Sequence, residues 1–399
     1  MAEVGREMRA LLSRGRAHLR AGFRPQELPP IRPSSPLDLR GLSLLHLSLL
    51  TEEGERCALC LVREATAAAA RLRPVLVLHG TNASKTQLLE SGWLQRLARQ
   101  GVLAVGVDSR HHGERMKPPN LSYWPALVRA WRRDEPSPMD AADTAPAEAL
   151  RAHPFMYDTV WDLMRVLDYL ASRDDVDTSR VGATGISLGG MHAWLWAAAD
   201  PRVSAVCPAI GVQSFGYAIA HDAWHARAAS LAPLMDAAAA DAGRPLDGGV
   251  VAAVWAKLLP YLSTHFDAPY SLAAIAPRPC LIVNSASDPR CPRQGVEQAV
   301  RQASAKWRGP GSDNLALYLD TSNGEQPLPA DQWKRGHVIT PAMYAAIDLF
   351  LTHTIVHAHD SLPPNLPTDS CSILIPYADS ASSSGGERDG SAGGGQDGS

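Results

Sequence analysis

Short apolar runs alternate with longer helical stretches through most of the chain. The first two runs, Leu42–Leu50 and Cys57–Val62, predict an antiparallel pair of strands. Further strands are predicted near residues 74–80, 102–108, 180–185, 203–208, 279–284 and 315–320. Helices are predicted between them, over Lys85–Gln100, Tyr157–Ser172, Leu188–Ala199, Arg293–Lys306 and Pro341–His353. The alternation predicts an α/β fold, with a mainly parallel sheet of about eight strands and helices on both faces.

Two segments, residues 116–155 and 211–276, interrupt the alternation and carry several aromatic side chains. Reactive groups in a parallel sheet lie at the carboxyl ends of the strands. Insertions that follow strand ends are therefore expected to form helical caps over that edge. The candidate pocket residues are Gly80, Trp124 and Trp224.

The two ends of the chain differ from its middle. Residues 1–40 predict a helical extension and a Pro-rich connector, residues 41–357 the α/β domain, and residues 358–399 a C-terminal extension. From about residue 380 the Gly- and Ser-rich sequence predicts disorder. The Arg-rich segment near the N-terminus favours a docked helix over a mitochondrial or plastid transit peptide, because Glu3 and Glu7 are acidic and serine is scarce.

Composition narrows the class of protein. A formal net charge of −3 gives no basic field for nucleic acid or an anionic membrane. Six scattered cysteines are too few for a disulfide scaffold and favour reduced thiols. Without an apolar run long enough to span a bilayer, the sequence predicts a cytoplasmic protein, with a mitochondrial or plastid location as the alternative. The oligomeric state is not encoded in any of these features.

A candidate nucleophile lies between a predicted strand and a predicted helix. Gly185-Ile186-Ser187-Leu188-Gly189 directly follows the run RVGAT and opens the helix LGGMHAWLWAAA. This strand–turn–helix context is that of a nucleophile elbow, in which the serine hydroxyl projects from a helix N-terminus. The structural alternative is a helix-capping serine beside packing glycines.

A serine needs a base, and the base needs an orienting acid. His337 follows the last predicted strand and precedes the terminal helix, which is the expected place for the base. Asp288 follows the strand near 279–284 and is the predicted acid, with Asp320 and Asp331 as competitors. The chain order Ser, Asp, His fits an elbow of this kind.

Two backbone amides are needed to hold an oxyanion. We predict the N–H of Leu188, next to the serine, and the N–H of Thr81 in the loop after strand 74–80; Gly80 is the alternative to Thr81. His79 is predicted to support that loop. This chemistry needs no metal and no organic cofactor.

Other motifs favour structural roles. Cys57 and Cys60 lie three apart in a strand, so their side chains point to opposite faces as core residues. The polar segment 108–115 predicts a hydrogen-bonded loop that braces the site rather than a metal site. The late histidines, His353, His357 and His359, are expected to lie at the end of the last helix.

The motifs HGT, DSRHHGER, GISLGGMHAW and DPRCP resemble those of the α/β-hydrolase superfamily over roughly residues 40–357. Within it they resemble the branch of dienelactone-hydrolase-like, acetyl-xylan-esterase-like and prolyl-oligopeptidase-like proteins. With YDTVWDL added, they are most similar to plant and algal α/β-hydrolase proteins of unassigned substrate. The resemblance implies the α/β-hydrolase fold and esterase-type hydrolysis on Ser187, Asp288 and His337.

Three functional hypotheses remain. The first is a serine hydrolase that cleaves a small-molecule carboxylic ester, thioester or lactone through an acyl-enzyme. The second is a peptidase of prolyl-oligopeptidase type, although about 40 residues cannot form the β-propeller of those proteins. The third is a ligand receptor or scaffold that keeps the fold without turnover.

Overall fold

The computed structural model describes most of the chain, and its sheet defines the architecture. No helix in the described part is long and apolar enough to cross a membrane. The predicted disorder from about residue 380 and most of segment 116–155 lie outside the described residues. Those residues are 2–14, 16, 22–52, 54–67, 71–116, 122–133, 156–307, 311–326, 328–367 and 371–374.

The strands form one sheet in the order β1-β2-β3-β5-β4-β6-β7-β8-β9-β10. In this order, the six strands β5, β4, β6, β7, β8 and β9 run parallel to one another. The strands β1, β2, β3 and β10 are antiparallel to their neighbours. The bounds are β1 Gln26–Glu27, β2 Leu42–Glu52, β3 Glu55–Glu64, β4 Pro74–Leu78, β5 Leu103–Val107, β6 Gly182–Ile186, β7 Ala205–Ala209, β8 Cys280–Ser285, β9 Leu315–Asp320 and β10 Cys371–Leu374.

All eight predicted strands are present, and the prediction of a mainly parallel α/β sheet is confirmed. The sheet has two more strands than expected, β1 and β10, one at each edge. Both come from the segments that the sequence assigns to the terminal extensions. The sheet therefore draws its edges from residues on either side of the predicted α/β domain.

Helices cover both faces of the sheet, joined by short 3₁₀ and π turns. The predicted helix over Lys85–Gln100 is two helices, because Gly92 between them has φ 73°, a left-handed angle that favours glycine. The helices are α1 Ala2–Ser13, α2 Lys85–Glu90, α3 Trp93–Ala98, α4 Tyr123–Trp131, α5 Tyr157–Ala171, α6 Leu188–Ala199, α7 Phe215–Ala220, α8 His225–Ala229, α9 Ala232–Asp241, α10 Gly248–Leu258, α11 Ala268–Ser271, α12 Arg293–Ser304, α13 Trp333–Gly336 and α14 Pro341–Leu351.

The core has two layers, one on each side of the sheet. On β4, Leu76 and Leu78 pack into the layer with α5 and α6, and Val75 and Val77 pack into the layer with α3 and α14. Every residue of β4 is buried, because neighbouring side chains of a strand point to opposite faces and both faces are covered. This explains why the strand is a continuous apolar run in the sequence.

The N-terminal segment forms a docked helix. Met8 and Leu12 on α1 are buried in the same layer as α6. Arg9 pairs with Asp200 at the end of α6, with 3.4 Å between Nη1 and Oδ1. The helix is therefore part of the packed structure, on the side of the sheet that carries α6.

The two insertions contact each other. Trp124 on α4 donates its indole N–H to the carbonyl of Ser230, 3.2 Å away, and Trp131 donates to Asp241. Segment 211–276 folds into α7 to α11, more helices than the two or three that the sequence predicts.

Candidate active site

Ser187 occupies a sharp turn between β6 and α6. Its backbone angles are φ 55° and ψ −113°, a conformation that side-chain-bearing residues seldom adopt. The N–H of Ser187 donates to the carbonyl of Ala209 on β7, 2.9 Å away, which fixes the turn to the sheet. The predicted strand–turn–helix geometry is thus present.

Gly189 makes this turn sterically possible. A Cβ on Gly189 would lie 2.2 Å from the carbonyl oxygen of Leu78 at the end of β4. That distance is far below van der Waals contact, so only glycine allows α6 to start this close to β4. The second glycine of the G-x-S-x-G pattern is therefore required for the close packing of α6 against β4.

Three side chains from different strand ends meet beside this turn. His337, on the loop after β9, has its Nε2 2.7 Å from Ser187 Oγ and its Nδ1 2.8 Å from Asp288 Oδ2. A carboxylate can only accept, so Nδ1 carries the proton and Nε2 accepts from the serine hydroxyl. The structure brings together the three residues that the sequence predicts as nucleophile, base and acid.

Asp288 is held in place by its own loop. Its second oxygen, Oδ1, accepts from the N–H of Arg290 at 2.8 Å, and the whole residue is buried. The competing Asp320 accepts instead from Ser322 and from the Thr340 hydroxyl, and Asp331 is exposed. Of the three acids, Asp288 is the one that contacts the imidazole.

The surroundings favour a neutral imidazole. Burial lowers the pKa of His337 below its ordinary value, while Asp288 opposes this by stabilising the charged ring. The positive charges of Arg227 and Arg290 act in the same direction as burial. A neutral His337 can accept a proton, which is what a base next to a serine requires.

One group of potential metal ligands occurs in the described part of the chain, and it includes two of these residues. Ligand atoms of Asp288, Cys291 and His337 lie within 4.8 Å of one another. Burial raises the pKa of the Cys291 thiol, and its Sγ lies 3.3 Å from the carbonyl of Ile210 as a donor. Since the thiol keeps its proton and both imidazole nitrogens have partners, the set is better suited to a hydrogen-bonded relay than to a metal.

Of the two predicted oxyanion residues, Leu188 directly follows Ser187 and Thr81 belongs to a separate loop. The N–H of Leu188 is in the first turn of α6, where backbone donors have no partner within the helix. Thr81 lies in the loop after β4, next to Gly80; a side chain on Gly80 would come within 3.7 Å of Ser187 Cβ. The loop is therefore in contact with the turn, and the oxyanion role stays a prediction.

His79 fixes this loop. Its Nε2 accepts from the N–H of Ser109 at 3.0 Å, and its Nδ1–H donates to the carbonyl of Gly80 at 2.8 Å. Burial lowers the pKa of His79, so the ring is neutral and can accept and donate at once. The ring ties the loop after β4 to the loop after β5, in the structural role predicted for it.

Segment 108–115 is a hydrogen-bonded loop, as predicted. Asp108 accepts from both the N–H and the Nζ of Lys85, at 2.8 and 2.9 Å, and Lys85 Nζ also pairs with Glu114. Arg110 and Arg115 pair with Asp162 on α5. These ion pairs join the loop to α2 and α5, next to the loop that His79 supports.

The predicted pocket residues have three different environments. Gly80 borders Ser187, as described above. Trp124 lines a surface cavity of about 750 Å³ together with residues of α4 and Pro233, and Ser187, Asp288 and His337 are not among its lining residues. Trp224 is 6% exposed and packs in the core. Their contribution to substrate binding stays a prediction.

The remaining motifs are structural. Cys57 and Cys60 are both buried, in opposite core layers, as expected from their spacing. His353 and His359 stack on each other beyond α14, with ring centroids 4.2 Å apart.

Sequence reasoning missed the polar side chains around the three central residues. Arg227 on α8 donates from Nε to Gln213 Oε1 at 3.1 Å, and from Nη2 to the carbonyl of Arg290 and the Sγ of Cys291 at 3.4 Å each. Arg290 and Cys291 belong to the motif DPRCP and were within reach of sequence reasoning. Arg227 and Gln213 have no local signal, because the chain brings them to Cys291 only through tertiary folding.

A mainly parallel sheet of this order, with an elbow after β6 and helices on both faces, defines the α/β-hydrolase fold. The model of the Dienelactone hydrolase family matches residues 67–238. The fold is therefore that of α/β-hydrolases, and the matched segment is similar to the dienelactone hydrolase family.

Known proteins are similar over parts of the chain. “Putative hydrolase YtaP” of Bacillus subtilis (strain 168) is 27% identical over 165 residues, 41% of this chain and 46% of that protein. The match thus spans about half the length of that relative. Acetyl xylan esterase 1 from Thermoanaerobacterium sp. JW/SL YS485 superposes with a TM-score of 0.52 at 16% identity, covering 74% of this chain and 83% of the esterase. An acetyl xylan esterase from Paenibacillus sp. R4 gives 0.51 at 18% identity, covering 83% and 90%. These two likenesses concern the fold.

Proposed function

We propose that this protein is a serine esterase that hydrolyses small-molecule esters through an acyl-enzyme. The observation that carries the proposal is the relay Ser187–His337–Asp288, with 2.7 and 2.8 Å between the bonded atoms. Each member follows a different strand of the sheet, and the serine projects from a helix N-terminus. The family match and the esterase neighbours support the same class of reaction.

In the proposed mechanism Ser187 Oγ attacks the ester carbonyl and His337 Nε2 takes its proton. Asp288 keeps the proton on Nδ1 and stabilises the imidazolium that forms. His337 then returns the proton to the leaving alcohol, and the ester bond breaks. Water, activated by the same imidazole, hydrolyses the acyl-enzyme and releases the acid and Ser187.

The negative oxygen that forms on the carbonyl needs donors that are already in position. We assign this role to the N–H groups of Leu188 and Thr81. Leu188 is carried by the first turn of α6, whose dipole also favours negative charge. The loop that carries Thr81 is fixed by His79, so the second donor is held without reorganisation.

Labelling with a fluorophosphonate, together with turnover of p-nitrophenyl esters of increasing acyl length, tests this function. We expect labelling of the wild type, none in Ser187→Ala, and turnover that peaks at one acyl length. A wild type that neither labels nor turns over any ester would contradict the proposal and favour a ligand receptor. A labelled protein that cleaves peptides and no ester would favour the peptidase.

The pH profile should reflect the lowered pKa of His337. The imidazole must be neutral to act as base, so activity is present above its pKa and is lost as the pH falls through it. Since burial lowers that pKa, we expect the acid limb of kcat/KM to have its midpoint below about pH 6.5, the ordinary value for histidine. Rates measured from about pH 4.5 to 8 check this, with circular dichroism as the control for folding. A midpoint above the ordinary value contradicts the assignment.

A further inference from the structure

Two buried polar side chains beside the proposed triad, Arg227 and Gln213, have no part in the mechanism above. Arg227 lies on α8 and Gln213 in the loop between β7 and α7, so both come from the insertion 211–276. They are 6% and 1% exposed. Each lacks a partner that its chemistry requires.

Arg227 is a buried cation without an anion. Its three contacts are the amide oxygen of Gln213, the carbonyl of Arg290 and the Sγ of Cys291, all neutral atoms. Within the described residues, no carboxylate lies at ion-pair distance from its guanidinium. Burial of a charge is unfavourable unless an opposite charge accompanies it.

Another pair of buried arginines shows the contrast. Arg16 pairs with Glu52 and Asp158, and Arg110 pairs with Glu52 and Asp162. Both are as well buried as Arg227 and have at least two carboxylate partners each. A structural arginine in this protein can thus be neutralised by the chain, and Arg227 is not.

Gln213 provides an independent observation. The Nε–H of Arg227 can only donate, so the amide oxygen of Gln213 must face it. This orientation leaves Gln213 Nε2 buried and without an acceptor. A buried amide N–H without an acceptor is rare in proteins, and here it lies next to the unneutralised cation.

Both residues are close to the reacting atoms. The Sγ of Cys291, 3.4 Å from Arg227 Nη2, lies within 4.8 Å of ligand atoms of Asp288 and His337. Gln213 follows β7, whose last residue, Ala209, accepts the N–H of Ser187. The side chain of Cys291 thus contacts the guanidinium and also lies beside the Asp288–His337 pair.

We propose that Arg227 and Gln213 bind a carboxylate of the substrate, so that the preferred esters are anionic. The guanidinium supplies the charge and Gln213 Nε2 a second N–H, a donor pair that suits a planar carboxylate. The class comprises half-esters of dicarboxylic acids and acyl esters of hydroxy acids. The inference rests on the proposed function, since it names the substrate class of the same site.

Two matched pairs of esters test the inference on the wild-type protein. The first pair is the p-nitrophenyl monoester of adipic acid, which has a free carboxylate on the acyl side, and the neutral diester in which that carboxylate is methylated. The second pair is p-acetoxybenzoate, which has its carboxylate on the alcohol side, and the neutral methyl ester of p-acetoxybenzoate. In one pair we expect kcat/KM to favour the anion by about 10- to 100-fold, the range for hydrogen bonds to a charged group. Equal values within both pairs would overturn the inference.

Variants link the preference to the two residues. Gln213→Glu places a carboxylate beside Arg227, so the anionic preference should fall to about one and Tm should not fall, because the buried cation gains a partner. Arg227→Lys and Arg227→Met should also reduce the ratio, Met more than Lys, since lysine keeps the charge without the fork. A ratio that all three variants leave unchanged contradicts the assignment.

Arg244→Met is the matched control. Arg244 lies in the same insertion, is half-exposed and pairs with Asp247, so this variant removes an equal charge away from the site. We expect it to keep the wild-type ratio. A loss of ratio in this control would attribute the preference to overall charge and overturn the site.

The outcomes for the inference and for the proposed function are separable. Fluorophosphonate labelling and hydrolysis of the neutral ester report on the triad alone. A protein that labels and cleaves both members of each pair equally refutes the carboxylate site and keeps the esterase. A protein that neither labels nor cleaves any of the four esters refutes both.

Discussion

Replacement of Ser187 by alanine should reduce ester hydrolysis by roughly 10⁶-fold, the loss that follows removal of the nucleophile in a serine protease. In the proposed mechanism the hydroxyl forms the covalent bond, and its Oγ lies 2.7 Å from His337 Nε2. The measurement is kcat for the best p-nitrophenyl ester, with the spontaneous rate subtracted. Residual turnover within a hundredfold of the wild type would exclude Ser187 as the nucleophile.

The same variant should fold normally. Alanine and serine have the same restriction at φ 55°, so the strain at the turn is retained, and one hydrogen bond to His337 is lost. The free energy of unfolding should therefore change by no more than about 1 kcal/mol. Urea unfolding of both proteins checks this and ensures that lost activity is not lost structure.

The fold is predictable where burial is complete on both faces of a strand. β4 and β5 are buried at every position, so their sequences are unbroken apolar runs. The edge strand β1 is two exposed polar residues, Gln26 and Glu27, whose pairing with β2 leaves no hydrophobic pattern. Its position depends on its pairing with β2, so the local sequence does not predict it.

The central residues of the candidate site are predictable for a related reason. Each of them follows a strand that is recognisable in the sequence as an apolar run: Ser187, Asp288 and His337. The carboxyl ends of parallel strands meet at one edge of the sheet. The polar residues around them follow no such rule. Arg227 stands in an alanine-rich helix, and its contacts with Gln213 and Cys291 join segments that are far apart in the sequence.

Burial has opposite effects on the neutral and the charged form of His337. It lowers the pKa of His337 and so keeps the imidazole ready to accept a proton. The imidazolium that forms in the proposed mechanism is then unfavourable in the same surroundings, beside the positive charges of Arg227 and Arg290. The Asp288 carboxylate, whose Oδ2 lies 2.8 Å from His337 Nδ1, offsets this cost.

Asp288→Asn should therefore reduce kcat by roughly 10⁴-fold, as the same change does in a serine protease triad. The amide of the asparagine has no negative charge to stabilise the imidazolium. Its NH₂ group can donate to Nδ1, which favours the tautomer with the proton on Nε2. In that tautomer Nε2 cannot accept the proton of Ser187.

Asp320→Asn is the matched control for this substitution. Asp320 is equally buried and is the last residue of the neighbouring strand β9, but it accepts hydrogen bonds from Ser322 and Thr340. We expect a loss of stability of about 1–3 kcal/mol in this variant, from a weakened buried hydrogen bond, with kcat within about tenfold of the wild type. The reverse pattern, with Asp320→Asn inactive and Asp288→Asn active, would assign the acid to β9. Equal large losses of kcat in two folded variants would mean that both carboxylates support the imidazole.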